Sequence, residues 1–106
     1  MKQTLYLVIP CYNEEEVLHE TAKRLLEKMT NMMDNNVIAR DSKILFVNDG
    51  SKDRTWNIIE ELHKSNSIFS GVNLSRNRGH QNALLAGLMT AKDYADMSIS
   101  LDADLQ

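Results

Sequence analysis

The chain has 106 residues, of which 42% are hydrophobic and 25% charged, and its formal net charge is −3. This composition is ordinary for a soluble globular protein and argues against a basic nucleic-acid-binding surface. No apolar run approaches the ~18 residues that span a bilayer. A chain of this length is expected to form a single domain. The one cysteine, Cys11, cannot form an internal disulfide, so we expect a reducing, cytoplasmic compartment.

Strand and helix patterns alternate along the chain. Residues 4–10 (TLYLVIP) predict a first strand that ends at Pro10. Asn13, with Glu16 three residues later, predicts a capping box at the start of a helix that reaches about residue 33. The following apolar patterns predict a strand, helix, strand, helix and strand over residues 43–48, 53–64, 71–75, 80–91 and 97–101.

This alternation predicts an α/β fold, with a Rossmann-like parallel sheet and helices on both faces. The commonest open arrangement has the strand order 3-2-1-4, in which the chain direction across the sheet reverses between strands 1 and 4. Ligands bind in the crevice at such a reversal, at the carboxyl ends of the strands. We therefore expect the loops PCYNEEE and DADLQ to meet there, with NDGSKD one strand away.

Acidic residues follow three of the predicted strands: Glu14 after strand 1, Asp49 after strand 2, and Asp102 and Asp104 after strand 4. Like charges gathered in one cleft favour a bound cation. Residues two apart in an extended chain point to the same side, so Asp102 and Asp104 could share one ion, and Gln106 adds an oxygen in the same series. Oxygen ligands favour Mg²⁺ or Mn²⁺. The alternative is that these acids cap helices or lie in solvated loops.

Other polar and aromatic residues near the strand ends have two interpretations each. Tyr12 could stack on a planar base or be a half-buried aromatic at a strand end. Asp49 could accept hydrogen bonds from a base or a ribose, or it could belong to an ordinary Asp-Gly turn. Arg76 and Arg78 could attract phosphate or be solvated loop residues.

Cys11 and His80 are more easily explained by structure than by chemistry. Cys11 is predicted to be a small apolar filler, because no partner base is evident for a thiol nucleophile. His80 is predicted to begin a helix and not to act as a base.

Four segments, in this order, resemble family 2 glycosyltransferases: VIPCYNEEE, FVNDGSKDRT, SRNRGHQNALLAGL and SLDADLQ. Each segment is a weak motif by itself, but four in the same order and spacing are specific. The resemblance is strongest to inverting enzymes of the GT-A fold that transfer sugars to polyprenyl phosphate, such as dolichol-phosphate mannose synthases and bactoprenol glucosyltransferases. It implies that the sheet is the N-terminal half of a GT-A fold.

The resemblance also implies a binding role for particular residues of this chain. The nucleotide would be bound by Pro10, Tyr12, Glu14, Val47, Asp49, Asp102, Ala103 and Asp104. The metal ion, Mg²⁺ or Mn²⁺, would be held by Asp104 and Gln106, with Asp102 as a further candidate ligand.

The implied activity is the transfer of a sugar, with inversion, from a UDP- or GDP-sugar to polyprenyl phosphate or a saccharide. The catalytic base of such enzymes lies further downstream, so we expect residues 1–106 to be the N-terminal, nucleotide-sugar-binding portion of a longer catalytic domain and to be inactive alone. The full-length protein would work at the cytoplasmic face of a membrane, which it would contact only through a downstream segment. Strand 4 would be an uncovered edge, and we expect self-association through it.

Two other classes of protein are alternatives to this family. A response-regulator receiver domain normally has an acidic pair after strand 1, an aspartate after strand 3 and a lysine after strand 5. This chain has PCYNEEE after strand 1, SRNRG after strand 3 and no fifth strand. A module that binds a nucleotide or a partner without catalysis stays open as the alternative.

Overall fold

The computed structural model describes residues 2–103, in which strands and helices alternate along the chain. Within these residues the strands are β1 (Leu5–Cys11), β2 (Lys43–Asp49), β3 (Phe69–Leu74) and β4 (Met97–Ser100), and the helices are α1 (Leu18–Asp34), α2 (Thr55–Ser65) and α3 (His80–Lys92). Neighbouring strands are all parallel, and their order is β3-β2-β1-β4. The predicted α/β class and the predicted strand order are both confirmed.

Helices cover both faces of the sheet, as the sequence predicts. Helices α1 and α2 pack on the face that carries Leu7, Ile9 and Phe46, whereas α3 packs on the face that carries Val8 and Val47. Successive residues of a strand point to opposite faces, so a strand covered on both sides is apolar along its whole length. This explains the sequence LYLVIPC in β1, which is a central strand.

Helix α1 is amphipathic, and its buried face follows directly from the residue spacing. Leu18, Ala22, Leu25 and Met29 are separated by four, three and four positions, and all are buried against the sheet. Since α-helical residues three and four apart lie on one face, this spacing commits α1 to a single orientation. Because only residues 12–17 connect β1 to α1, the amino end of α1 lies near the carboxyl end of β1.

Helix α3 packs directly against two valines of the sheet at Gly87. A Cβ at Gly87 would lie 2.5 Å from Val8 Cγ1 and 2.7 Å from Val47 Cγ2, which is too close for a side chain. Both valines are buried and β-branched, so they have little freedom to move aside. His80, the first residue of α3, lies at the carboxyl edge of the sheet because α3 follows the parallel strand β3.

The start of α1 differs from the sequence-based prediction. The predicted capping box at Asn13 and Glu16 is wrong, because α1 begins at Leu18 and no side chain caps it. Asn13 instead has a φ of +52°, in the left-handed region. Its side-chain oxygen accepts a hydrogen bond from the backbone N–H of Lys52, in another loop. Strand β3 also begins earlier than predicted, at Phe69.

Strand β4 lies at an edge of the sheet, which confirms that part of the prediction. Its apolar residues Met97 and Ile99 are exposed. Self-association through this edge stays a prediction. None of the helices in residues 2–103 combines the length and the apolar character that crossing a membrane requires.

Candidate functional site

A cleft of about 300 Å³ opens at the carboxyl edge of the sheet, where the ends of β1, β2 and β4 meet the start of α3. It is lined by Pro10, Cys11, Tyr12, Glu14, Asp49, Asn77, Gly79, His80, Asp102 and Ala103. This is the position that a parallel sheet with a reversal between strands 1 and 4 predicts for a ligand.

The cleft brings together six of the eight residues predicted to bind a nucleotide: Pro10, Tyr12, Glu14, Asp49, Asp102 and Ala103. Val47 lies two residues before the end of β2 and is fully buried under α3. It does not line the cleft. Asp104 lies outside the described residues. Arg76 and Arg78 are exposed and do not line the cleft, so their contact with phosphate stays a prediction.

Pro10 lies where β1 and β4 separate. The pairing of β4 with β1 ends at Val8 and Ser100, and the N–H of Leu101 donates a last hydrogen bond, of 3.1 Å, to the carbonyl of Val8. Alternate residues of a strand direct their backbone groups to the same neighbour. Pro10 therefore faces the side of β4 but has no N–H to donate, so the ladder stops there and the cleft opens.

The segment after β4 is anchored on both sides of Asp102. The N–H of Leu101 is bound to β1, and the carbonyl of Ala103 accepts a hydrogen bond from the hydroxyl of Thr21 in α1. Ala103 and Thr21 are both buried, whereas Asp102 is exposed. These two attachments fix the backbone around Asp102 and leave its carboxylate at the mouth of the cleft.

Asp49 connects the cleft to the loop between β3 and α3. Its side chain is only 3% exposed, and its Oδ1 accepts a hydrogen bond of 2.6 Å from the backbone N–H of Arg78. The neighbouring Gly50 also touches this loop, since a Cβ there would lie 2.2 Å from the backbone nitrogen of Asn77. The β3–α3 loop thus lies directly against the end of β2 and forms a wall of the cleft.

This wall contains the cleft residues that sequence analysis missed, Asn77 and Gly79, and gives His80 a second role. His80 begins α3, as predicted, and it also lines the cleft. Within the loop, Asn77 Oδ1 accepts a hydrogen bond from the N–H of Gly79, which has a φ of +91°. From the sequence, Arg76 and Arg78 indicated that this loop could contact a ligand. The residues of the loop that line the cleft are instead Asn77 and Gly79.

Cys11 lies at the floor of the cleft, where its thiol is chemically protected. The residue is 1% exposed, and its Sγ donates a hydrogen bond of 3.4 Å to the carbonyl of Ile9. Burial raises the pKa of the Cys11 thiol strongly, and the negative charge of Glu14 raises it further. The thiol therefore stays protonated at neutral pH, in keeping with the apolar role predicted for it.

We expect Cys11 in the folded chain to resist a thiol reagent such as dithionitrobenzoate at pH 8. The thiolate is the reactive form, and burial keeps the thiol protonated and out of reach of the reagent. The measurement is the rate of labelling with and without denaturant. Labelling should become complete only when the chain is unfolded in guanidinium. Rapid labelling under native conditions would contradict the burial of Cys11.

The oxygen-rich cleft suits a hard divalent ion, but the described residues do not complete a site for one. Glu14, Asp49 and Asp102 share the cleft, and carboxylates are preferred ligands of Mg²⁺ and Mn²⁺. Within residues 2–103, no three His, Cys, Asp or Glu side chains lie close enough together to hold a metal ion. The predicted ligands Asp104 and Gln106 lie outside the described residues. A metal ion here would complete its coordination with other oxygen ligands, such as water or a bound substrate.

Two solved structures share the fold of this chain. The mannosyltransferase PcManGT from Pyrobaculum calidifontis, in complex with GDP-Man and Mn²⁺, matches with a TM-score of 0.76 and 20% identity over 98% of this chain and 28% of that chain. S. aureus TarS 1-349 in complex with UDP matches with a TM-score of 0.76 and 20% identity over 95% of this chain and 27% of that one. At this identity the likeness establishes the fold alone, and it agrees with the predicted N-terminal half of a GT-A fold.

The family follows from the sequence itself. The model of the family described as "Glycosyl transferase family 2" matches residues 6–106. Because this match covers nearly the whole chain, the chain belongs to glycosyl transferase family 2.

Curated relatives are longer than this chain. The uncharacterized glycosyltransferase YkoT of Bacillus subtilis (strain 168) is 52% identical over 109 residues, which cover 100% of this chain and 32% of the relative. The undecaprenyl-phosphate 4-deoxy-4-formamido-L-arabinose transferase of Shewanella sediminis (strain HAW-EB3) is 38% identical over 101 residues, which cover 94% of this chain and 28% of the relative. The chain thus spans about a third of the length of these relatives.

Proposed function

We propose that this chain forms the donor site of a glycosyltransferase, where a nucleotide-diphosphate sugar binds together with a divalent metal ion. The observation that carries the proposal is the shared cleft: Tyr12, Asp49 and Asp102 come from three separate segments and line the same hollow. Membership of glycosyl transferase family 2 supports a sugar donor as the ligand, and the neighbours in complex with GDP-Man and UDP support a nucleotide.

The nucleotide base would lie between Tyr12 and Asp49. The side chain of Tyr12 is 42% exposed, so a face of its ring is available for stacking on a base. Asp49 uses one carboxylate oxygen to hold the N–H of Arg78, and the second oxygen is proposed to accept a hydrogen bond from an N–H of the base. Pro10 and Glu14 line the same cleft, and we assign Val47, which is buried under α3, to the support of the base-binding end.

The diphosphate would lie toward Asp102 and Ala103. We assign the metal ion to Asp104 and Gln106, with Asp102 as a further ligand, and the choice of Mg²⁺ or Mn²⁺ is supported by the Mn²⁺ in the PcManGT complex. A divalent ion on the diphosphate would neutralise the charge that develops on the leaving nucleotide. Asp102 is suited to this end of the cleft because its backbone is fixed while its carboxylate is exposed.

The proposed acceptor is polyprenyl phosphate, since the Shewanella relative is named as an undecaprenyl-phosphate transferase. An oxygen of the lipid phosphate would attack the anomeric carbon from the face opposite the leaving group. The bond from that carbon to the diphosphate breaks, the nucleoside diphosphate leaves with the electron pair, and the configuration inverts. A lipid phosphate is already an anion at neutral pH and needs little help from a base, whereas a saccharide hydroxyl would need one.

The acceptor half of the reaction is proposed to lie in the rest of the whole protein, because this chain spans about a third of the length of its relatives. The chain alone would then bind the donor without transferring the sugar. A lipid acceptor would bring the whole protein to a membrane, and we propose its cytoplasmic face.

Isothermal titration of the chain with UDP-glucose and GDP-mannose tests the donor site. We expect one of them to bind at sub-millimolar concentration with Mn²⁺ and at least ~10-fold more weakly in EDTA, because the metal would screen the diphosphate charge. Replacement Tyr12→Ala should weaken binding roughly 10-fold, through lost stacking on the base. The matched control is Tyr94→Ala, because Tyr94 is also an exposed tyrosine but stacks on Tyr6, outside the cleft.

The titration also separates this proposal from the alternative. If neither nucleotide sugar binds at millimolar concentration, with or without Mn²⁺, the chain has no donor site of this kind. A module that binds only a partner protein would then be favoured.

A further inference from the structure

The loop that carries Tyr12 and Glu14 is joined by five hydrogen bonds, which run in both directions, to a second loop, residues 51–55, whose last residue Thr55 begins α2. The backbone N–H groups of three consecutive residues, Asn13, Glu14 and Glu15, donate to side chains of this second loop. In return, two backbone N–H groups of the second loop donate to side chains of the first. The pairs are Asn13 N to Ser51 Oγ (2.9 Å), Glu14 N to Thr55 Oγ1 (2.9 Å), Glu15 N to Asp53 Oδ2 (3.2 Å), Lys52 N to Asn13 Oδ1 (2.8 Å) and Arg54 N to Glu15 Oε2 (3.4 Å). We call this set of contacts the clasp.

The central residue of the clasp is Thr55, which is fully buried and does not line the cleft. Its hydroxyl lies 2.5 Å from Asp53 Oδ1, and a carboxylate can only accept, so the hydroxyl proton points to Asp53. The hydroxyl oxygen is then left to accept the N–H of Glu14. The same Asp53 oxygen also accepts the N–H of Thr55 at 2.9 Å, which holds the two side chains in one arrangement.

Asp53 has the charge state that this arrangement needs. Desolvation by itself would raise the pKa of Asp53, but hydrogen bonds from Thr55 and Glu15 together lower it below its usual value. The carboxylate is therefore ionised at neutral pH and accepts from both partners.

Apart from the clasp, the loop is joined to α1 by a turn, in which the carbonyl of Glu14 accepts hydrogen bonds from the N–H groups of Val17 (3.1 Å) and Leu18 (3.0 Å). Asn13 has a φ of +52°, a conformation that an isolated asparagine adopts only at a cost. Helix α1 begins five residues later, at Leu18. Tyr12 and Glu14 flank Asn13 and line the cleft, so the direction of both side chains depends on how the backbone of Asn13 is held.

From these contacts we propose that Asp53 and Thr55 are positioning residues for nucleotide binding: without touching the ligand, they hold the loop in the conformation that directs Tyr12 and Glu14 into the cleft. This inference rests on the proposed function, since it assigns the clasp a role in the affinity of that donor site.

The principal test uses Thr55→Val, which keeps the shape of the side chain but removes the acceptor for Glu14 N–H and the donor to Asp53. Affinity for UDP and GDP, each with Mn²⁺, is measured by titration at a temperature where every variant is fully folded. We expect Thr55→Val to bind ~10-fold more weakly than the wild type. Thr55→Ser restores the hydroxyl and should bind like the wild type.

A second variant covers the case in which Thr55→Val does not fold. Asn13→Gly is in an exposed loop and tolerates the positive φ, but it removes the acceptor for Lys52 N–H. It should weaken nucleotide binding by several-fold. The control for stability alone is Ile38→Val, a buried residue outside the cleft. It should lower the unfolding midpoint and leave affinity unchanged.

The outcomes separate this inference from the proposed function. If the wild type binds a nucleotide and Thr55→Val or Asn13→Gly binds it equally well, the positioning role is overturned while the donor site stands. If Ile38→Val weakens binding as much as they do, the effect is one of stability and the positioning role is likewise overturned. If the wild type binds neither nucleotide, the proposed function fails, and this inference fails with it.

Discussion

Replacement of Gly50 by alanine is expected to lower the free energy of unfolding by about 2–5 kcal/mol, from two separate causes. Gly50 has a φ of +67°, where a residue with a Cβ costs about 1–2 kcal/mol. The new Cβ would also lie 2.2 Å from Asn77 N and 2.4 Å from the carbonyl carbon of Arg76. Both are backbone atoms, so the whole β3–α3 loop must move, and such overpacking costs about 1–3 kcal/mol.

Urea unfolding followed by circular dichroism measures this loss, and a second substitution at the same position separates the two causes. Asparagine tolerates the left-handed region better than alanine but carries the same Cβ. We therefore expect Gly50→Asn to recover part of the backbone cost of about 1–2 kcal/mol but to keep the overpacking cost of about 1–3 kcal/mol. A wild-type unfolding midpoint for Gly50→Asn would mean that backbone conformation alone requires the glycine, and that the close approach of the loop is not important.

The sheet could be predicted from the sequence because its signals are local. The apolar run of β1 and the helical spacing of Leu18, Ala22, Leu25 and Met29 each lie within one segment. The prediction for the start of α1 is wrong because the capping pattern at Asn13 is local in sequence, whereas the hydrogen-bond partner of Asn13 lies in a distant loop. Asparagine before a helix favours a cap, but in the structure its side-chain oxygen is used by Lys52, 39 residues away.

The candidate site was predictable only in part, for the same reason. Acids at the ends of β1, β2 and β4 fall at one edge of any parallel sheet with this strand order, so their meeting in the cleft follows from topology. The position of the wall formed by Asn77 and His80 does not follow from the strand order. It depends on the hydrogen bond from Arg78 N to Asp49, between residues 29 apart, and on the room left by Gly50. Nothing in either segment alone indicates that contact.

Replacement of Asp49 is expected to have the largest effect on the proposed donor site. Asp49→Asn keeps an oxygen that can accept from Arg78 N but loses the charge and the second acceptor proposed for the base. A hydrogen bond to a charged group contributes about 1.5–3 kcal/mol, so affinity for the nucleotide should fall roughly 10- to 100-fold. The unfolding midpoint should change little. Asp49→Ala should also lose the attachment of the β3–α3 loop, and so bind weakly and unfold more easily.

Titration with inorganic pyrophosphate and Mn²⁺ provides the matched control, because this ligand carries the phosphates of the donor without its base. If Asp49 binds the base, Asp49→Asn should weaken UDP or GDP binding and leave pyrophosphate binding unchanged. Asp49→Ala should weaken both, since the loop it releases carries Asn77 and His80 into the cleft. An equal loss of nucleotide and pyrophosphate affinity in Asp49→Asn would instead mean that the carboxylate acts on the diphosphate end of the cleft. In that case the base would have to lie elsewhere, because the second oxygen of Asp49 is the group proposed to recognise it.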